Sequence, residues 1–380
     1  MLTFTPSVTR PSTEMHRRQF IRTGSLAAAT LLTARPLFAA SSKRLRVVQI
    51  GTAHSHAGEK WQTLQRLPEL YDVAGIWEPD THRRAEVATE PEYRGARWLT
   101  EAEVFNDRSV RAAVVEVELP DLLAMGRRCV EAGWHLHLDK PAGTDLEGFA
   151  ALQQRAVRDG LVLQLGYMLR HHPAVRFCFD AQRRGWLGEV FAISGDKGKV
   201  IGAARRPWLA ENYGGSMMLL GCHLLDLVIA LLGRPDRHTS HRRQTYPQRD
   251  GFFDHEVAVL EYPRAMATIR SMLAEVGGEK RRQLVVCGTT GTFEILPLEP
   301  AHVRLCLDEA VGGYQAGWQD VELPLPSGRY DDMMKDFAGM VAGQVSTVPT
   351  FTPAHDVLVL QTLLAVSALP AAARARAQTS

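Results

Sequence analysis

The chain has 380 residues, 45% hydrophobic and 23% charged, which is apolar material enough for two cores at roughly 100–200 residues per domain and excludes a disordered chain. Its formal charge of +2 is uneven: residues 1–40 carry five basic and one acidic side chain, and the rest carry 39 basic and 41 acidic. Such a balanced body lacks the clustered positive charge that nucleic acid requires, so that class of partner is excluded.

The first recognisable segment is a leader. Met15 to Ala40 has a basic start, a short apolar run over Gly24 to Leu32 and small residues before a cut after Ala39 or Ala40. The run is well short of the roughly 20 residues that span a bilayer, so no membrane span is predicted. Arg17-Arg18, followed by Gln19-Phe20-Ile21, resembles a twin-arginine export motif and predicts a periplasmic or otherwise exported protein. Met15 is an alternative start, because residues 1–14 add nothing to this signal. That route carries folded proteins, which suits a chain that must acquire a cytosolic cofactor.

The mature chain opens with a strand over 43–50, a turn (Gly51-Thr52-Ala53-His54-Ser55-His56-Ala57-Gly58) and a helix over 59–67. A second strand over 71–77 ends at Glu78. Further strands are predicted at 112–117, 134–138 and 161–165, separated by helices at 121–132 and 146–159. Alternating strands and helices predict an α/β fold whose N-terminal part, 43–165, is a doubly wound parallel Rossmann sheet. From 166 to 372 the pattern changes to a helix at 173–184, strands at 190–196, 255–262, 266–272 and 283–286, and closing helices at 331–342 and 356–369. This predicts a C-terminal α/β domain with an open, mainly antiparallel sheet, its last helices free to pack back on the first domain.

The turn matches the dinucleotide fingerprint only at Gly51; Ala53 and His56 hold the other two glycine positions. Its setting, after a strand and before a helix, is that of a pyrophosphate site, and the acid Glu78 would bind the adenosine ribose and repel a 2′-phosphate. NAD is therefore expected over NADP. His54 and His56, and His135 and His137, form two H-x-H pairs, but neither has a carboxylate or cysteine at ligand spacing, and no metal is expected. Lys140 stands at a strand's C-terminal end, where open α/β sheets bind ligands. His223 and Asp226 share one face of an apolar helix entered through Gly214-Gly215. The five cysteines (Cys129, Cys178, Cys222, Cys287, Cys306) are scattered and never form CxxC, so they read as buried hydrophobes.

Asp139-Lys140-Pro141, similar to a Glu-Lys-Pro motif, is followed by Gly166-Tyr167 with Arg170 and Pro173, then Gly185 with Gly188-Glu189-Val190, then Gly214-Gly215 with His223 and Asp226. This set resembles the Gfo/Idh/MocA family of nicotinamide-dependent sugar and cyclitol oxidoreductases, from Arg46 to about Leu369. The resemblance implies that Lys140 and His223 are catalytic and that Tyr167, Arg170 and Asp226 bind a carbohydrate-like substrate. It implies that Gly51, Thr52, Ala53, His54, Glu78, Asp139 and Lys140 hold the cofactor, and that the C-terminal sheet forms a homo-oligomer. One departure stands out: Leu219 occupies the position, four before the histidine, where many family dehydrogenases carry an aspartate.

Three functions are compatible with this pattern. The first is an exported dehydrogenase acting on a sugar, cyclitol or glycoside hydroxyl. The second keeps its NAD bound and uses transient oxidation for hydride exchange, glycoside cleavage or elimination. The third, suggested by Leu219, is a non-catalytic family member.

Overall fold

The computed structural model describes residues 44–246, 250–324 and 328–370; the predicted leader lies outside them. The first sheet is made of short apolar strands, as both its faces are covered: β1 (Leu45–Ile50), β2 (Tyr71–Trp77), β3 (Ala112–Val115), β4 (His135–Leu138) and β5 (Leu163–Leu165). All pair in parallel in the order β2-β1-β3-β4-β5. Between them run α1 (Ala57–Arg66), α2 (Thr81–Val87), α3 (Glu101–Asn106), α4 (Leu119–Glu131) and α5 (Leu146–Arg158). The chain leaves β1 toward β2 and then returns to β3 on the opposite side. A crevice therefore opens outside the carboxyl ends of β1 and β3, the switch point where such sheets bind ligands.

The second layer begins with α6 (Pro173–Arg183), β6 (Val190–Gly198) and α7 (Arg206–Asn212), passes through a wide π-helical turn at Met217–Gly221, and continues as α8 (Cys222–Leu232). Seven strands follow: β7 (Arg237–Arg243), β8 (His255–Glu261), β9 (Met266–Met272), β10 (Gln283–Gly288), β11 (Gly291–Leu298), β12 (Ala301–Leu307) and β13 (Gly317–Val321). The eight strands run β13-β12-β11-β10-β6-β9-β8-β7, antiparallel except for the parallel pair β6–β9. Helix α8 lies so close to β6 that a Cβ at Gly195 would come within 3.0 Å of Leu224 Cδ1.

The last helices, α9 (Asp331–Val341) and α10 (Pro353–Val366), lie against the first layer. Tyr71 Oη donates to the Met334 carbonyl at 2.6 Å, Gln164 Nε2 to the Met333 carbonyl at 3.2 Å, and Gln153 Nε2 to Asp356 at 3.1 Å. Among the described residues no helix is long and apolar enough to cross a membrane.

Candidate active site

The turn after β1 is shaped by one close approach. Gly51 has φ +87°, and a Cβ there would lie 2.7 Å from Val117 Cγ1 and 2.8 Å from Val117 N. The turn then delivers the N-terminus of α1, with its free N–H groups, to the crevice. A cavity of about 770 Å³ runs along it, lined in part by Thr52, Ala53, His54, Arg83, Glu118 and Arg205. Its position and lining fit a dinucleotide, the pyrophosphate lying at the turn.

Glu78, at the end of β2, is bound to the turn. It accepts from Thr52 N at 2.6 Å and Thr52 Oγ1 at 2.7 Å, while Arg83 donates to Thr52 Oγ1 at 3.0 Å and to the Thr52 carbonyl at 2.5 Å. At the opposite wall Arg205, from the segment before α7, forms an ion pair of 2.8 Å with Glu118, which follows β3. This pair ties the second layer to the first across the cavity.

Behind the turn lies a cluster that sequence reasoning missed. Lys60, wholly buried on α1, donates to Glu116 Oε1 at 2.7 Å and Asp139 Oδ2 at 2.8 Å. His54 Nδ1 and His56 Nδ1 reach the same Asp139 oxygen at 2.9 and 3.1 Å, and Asp139 Oδ1 accepts from Lys140 N at 2.6 Å. Burial disfavours charge on every member and draws both imidazoles below their ordinary value against the pull of Asp139. Burial also works against the Asp139 anion, but His54 and Lys60 outweigh it and hold its carboxyl well below the usual range. Burial and Asp139 push Glu116 up. Gly166 is fixed by this cluster, since a Cβ there would meet Asp139 Oδ1 at 2.7 Å. Asp139 was expected at the cofactor; it is buried and fully engaged with these neighbours, so its role is to organise the strand ends beneath the cavity.

Lys140 leaves β4 through a cis Lys140–Pro141 bond and donates to the Leu219 carbonyl at 3.2 Å, in the π-helical turn that leads to His223. His223 is buried, with Tyr167 perpendicular at 5.8 Å and the His56 ring at 6.4 Å, and its Nδ1 has no partner among the described residues. Burial, then the charges of Lys197 and Lys140, hold it well below the ordinary imidazole value, so it is neutral.

Arg170 and Asp226, expected at a substrate, instead bind each other. Arg170 Nε and Nη2 donate to Asp226 Oδ2 and Oδ1 at 2.9 and 2.6 Å, and the same Nη2 reaches Asp356 at 2.6 Å. His355 Nε2 takes Asp226 Oδ1 at 2.8 Å. Both side chains are buried, and the network locks α8 to α10. The helical spacing of His223 and Asp226 was legible, but the partners on α10 were not.

Two further groups face this region. Tyr330 stands 5.5 Å from the His56 ring with its buried hydroxyl unpartnered among the described residues. Lys197 on β6 is buried with no hydrogen bond or ion pair to a described residue, and burial pushes its ammonium down to about 7. Lys197 lies one residue beyond the strand expected at 190–196, and nothing in the sequence set it apart.

Comparison with known proteins agrees with this geometry. Residues 45–167 match the NAD-binding Rossmann fold of an oxidoreductase family, and 179–294 match the GFO/IDH/MocA C-terminal domain. Trans-1,2-dihydrobenzene-1,2-diol dehydrogenase of Bos taurus is 23% identical over 236 residues, 61% of this chain and 69% of that protein. Two solved structures share the fold. One is an oxidoreductase from Agrobacterium radiobacter in complex with NAD+, L-tartaric acid and magnesium (TM-score 0.71, 15% identity, 85% of this chain and 95% of that one). The other is aldose-aldose oxidoreductase from Caulobacter crescentus with glycerol (TM-score 0.69, 19% identity, 85% and 96%). The parallel sheet with its cofactor crevice, the open second sheet and both matched segments lead to one assignment: the chain belongs to the Gfo/Idh/MocA oxidoreductases.

Proposed function

We propose that this protein is an exported NAD-dependent dehydrogenase that oxidises a hydroxyl of a sugar, cyclitol or glycoside. The observation that carries the reading is the contact of Lys140 with the Leu219 carbonyl, which brings an ammonium group to the turn bearing the neutral His223. Lys140 Nζ binds the substrate hydroxyl oxygen and stabilises negative charge as it develops there. His223 receives the hydroxyl proton on a ring nitrogen; its uncharged state and unpartnered Nδ1 leave it able to do so. Gly51 to His54 and the start of α1 hold the pyrophosphate, Glu78 with Thr52 faces the adenosine ribose, and a bound nicotinamide supplies the hydride acceptor. Tyr167 packs against His223, and Arg170 with Asp226 holds the helix that presents it. The dihydrodiol and aldose activities named for the relatives support a polyhydroxylated substrate.

A second reading, in which the cofactor stays bound through each cycle, is favoured by the Arg205–Glu118 pair across the cavity. It suits a compartment with little free NAD and the aldose-aldose activity named for one structural neighbour. Denaturing gently purified protein and quantifying released dinucleotide by mass spectrometry tests both. Near-stoichiometric NAD(H) supports retention; no bound cofactor and no binding of added NAD or NADP removes the dehydrogenase reading altogether. Export is tested by fractionating cells that express the chain with Arg17-Arg18 intact or replaced by lysines. Association through the second sheet, where Phe191, Met266 and Trp318 are about half exposed, is tested by light scattering.

A further inference from the structure

The H-x-H pair of the cofactor turn lacks a carboxylate in the sequence around it; the fold supplies one from β4. His54 Nδ1, His56 Nδ1 and an oxygen of Asp139 all lie within 4.8 Å of one another. The two nitrogens stand 2.9 and 3.1 Å from the same Asp139 Oδ2. Glu116 lies beside this set without joining it: its Oε2 is 3.7 Å from His54 Nδ1 and its side chain is fully buried.

We propose that His54, His56 and Asp139, with water in the fourth position, form a binding site for a divalent transition-metal ion of the zinc type. Donor separations of about 3.3–3.5 Å are what a four-coordinate ion with ligands near 2.0–2.1 Å requires, and the 2.9 and 3.1 Å from Asp139 Oδ2 to the two nitrogens lie within a few tenths of an ångström of it. Two imidazoles and a carboxylate oxygen are a borderline donor set that suits zinc, cobalt or nickel better than magnesium or calcium.

Lys60 is the objection to meet, because its ammonium already touches Asp139 Oδ2 and Glu116 Oε1. It is shared between two buried carboxylates, of which burial and Asp139 push Glu116 up. Its bonds to both carboxylates make it an outer partner that orients them, as metal-binding carboxylates commonly have. The site lies directly beneath the cavity, where His56 and Ala53 stand in place of fingerprint glycines, so the departure from the fingerprint and the metal site are one feature.

The test uses the full mature chain, stripped with a chelator and then titrated with zinc against a fluorescent indicator and with cobalt by visible absorption. About one equivalent should bind with sub-micromolar affinity, the cobalt form should show the intense d–d bands of a four-coordinate ion, and zinc should raise the melting temperature. His54→Ala and His56→Ala should each weaken binding roughly 100-fold, while Lys197→Met should leave it unchanged. A folded wild-type chain that binds neither ion below about 10 μM, or that gives only six-coordinate cobalt spectra, overturns the proposal and leaves Lys60 as the resident cation. Because the wild-type titration decides the matter, a variant that fails to fold does not obscure it.

Discussion

The Lys140 ammonium lies 3.2 Å from the carbonyl oxygen of Leu219, the residue that stands where the resembled dehydrogenases carry an aspartate. The side-chain carboxylate is missing, yet the same residue supplies an acceptor from its backbone in the wide turn before α8. Lys140→Met should therefore lower turnover by about 100-fold or more while cofactor binding, read by nicotinamide fluorescence, persists. Leu219→Asp should change turnover by less than about tenfold. A large gain on restoring the aspartate would mean that the carbonyl is no substitute and the natural site is degenerate.

Lys197 makes stability depend on pH. Its folded value is about 7 against 10.5 for an ordinary lysine, so between these limits the unfolded chain binds more protons. Stability from this group thus rises as pH climbs from about 7 toward 10.5, is lost over the same window as pH falls, and changes little below 7. Lys197→Met should stabilise the protein by on the order of 2–4 kcal/mol at pH 7, with the gain shrinking toward zero near pH 10.5. Urea unfolding at the two pH values checks this; equal gains at both would show that Lys197 is not buried as a strained cation.

The Asp226 network separates a scaffold from a substrate contact. Asp226→Ala removes two of the three carboxylate contacts of buried Arg170 and should cost about 3–5 kcal/mol of folding stability. Denaturant midpoints measure it. A variant of wild-type stability whose only defect is a raised KM would place Asp226 on the substrate instead.

The proposed preference for NAD puts Glu78 on the adenosine ribose, with Arg83 beside it through Thr52. Glu78→Ala should raise the NADP-to-NAD affinity ratio by about tenfold or more, since the carboxylate that repels a 2′-phosphate is gone and the guanidinium remains. Binding titrations with the two dinucleotides decide it, and an unchanged ratio would remove Glu78 from the ribose.

The first sheet was legible because parallel strands covered on both faces read as apolar runs, as in Ala112–Val115 with every residue buried. Half of the second sheet was not. Its edge strand β7, RHTSHRR, is mostly exposed and has no apolar alternation, and the β11–β12 hairpin is interrupted by Pro297 and Pro300. At the site, the residues that follow strand ends could be named in advance, since topology sends those ends to one crevice. Lys60 could not, because a lysine on an amphipathic helix reads as solvent-facing. Only the fold sets its ammonium against Glu116 and Asp139, 56 and 79 residues away.

The exposed edge of the second sheet has its own consequence. His241, Arg242 and Arg243 follow one another along β7, and Arg237 begins it. A strand from another copy that paired there antiparallel would set basic groups against basic groups, an arrangement that costs energy at every opposed pair. This edge of the sheet thus carries three arginines in seven residues, and lateral growth into fibres is resisted by the strand that would have to seed it.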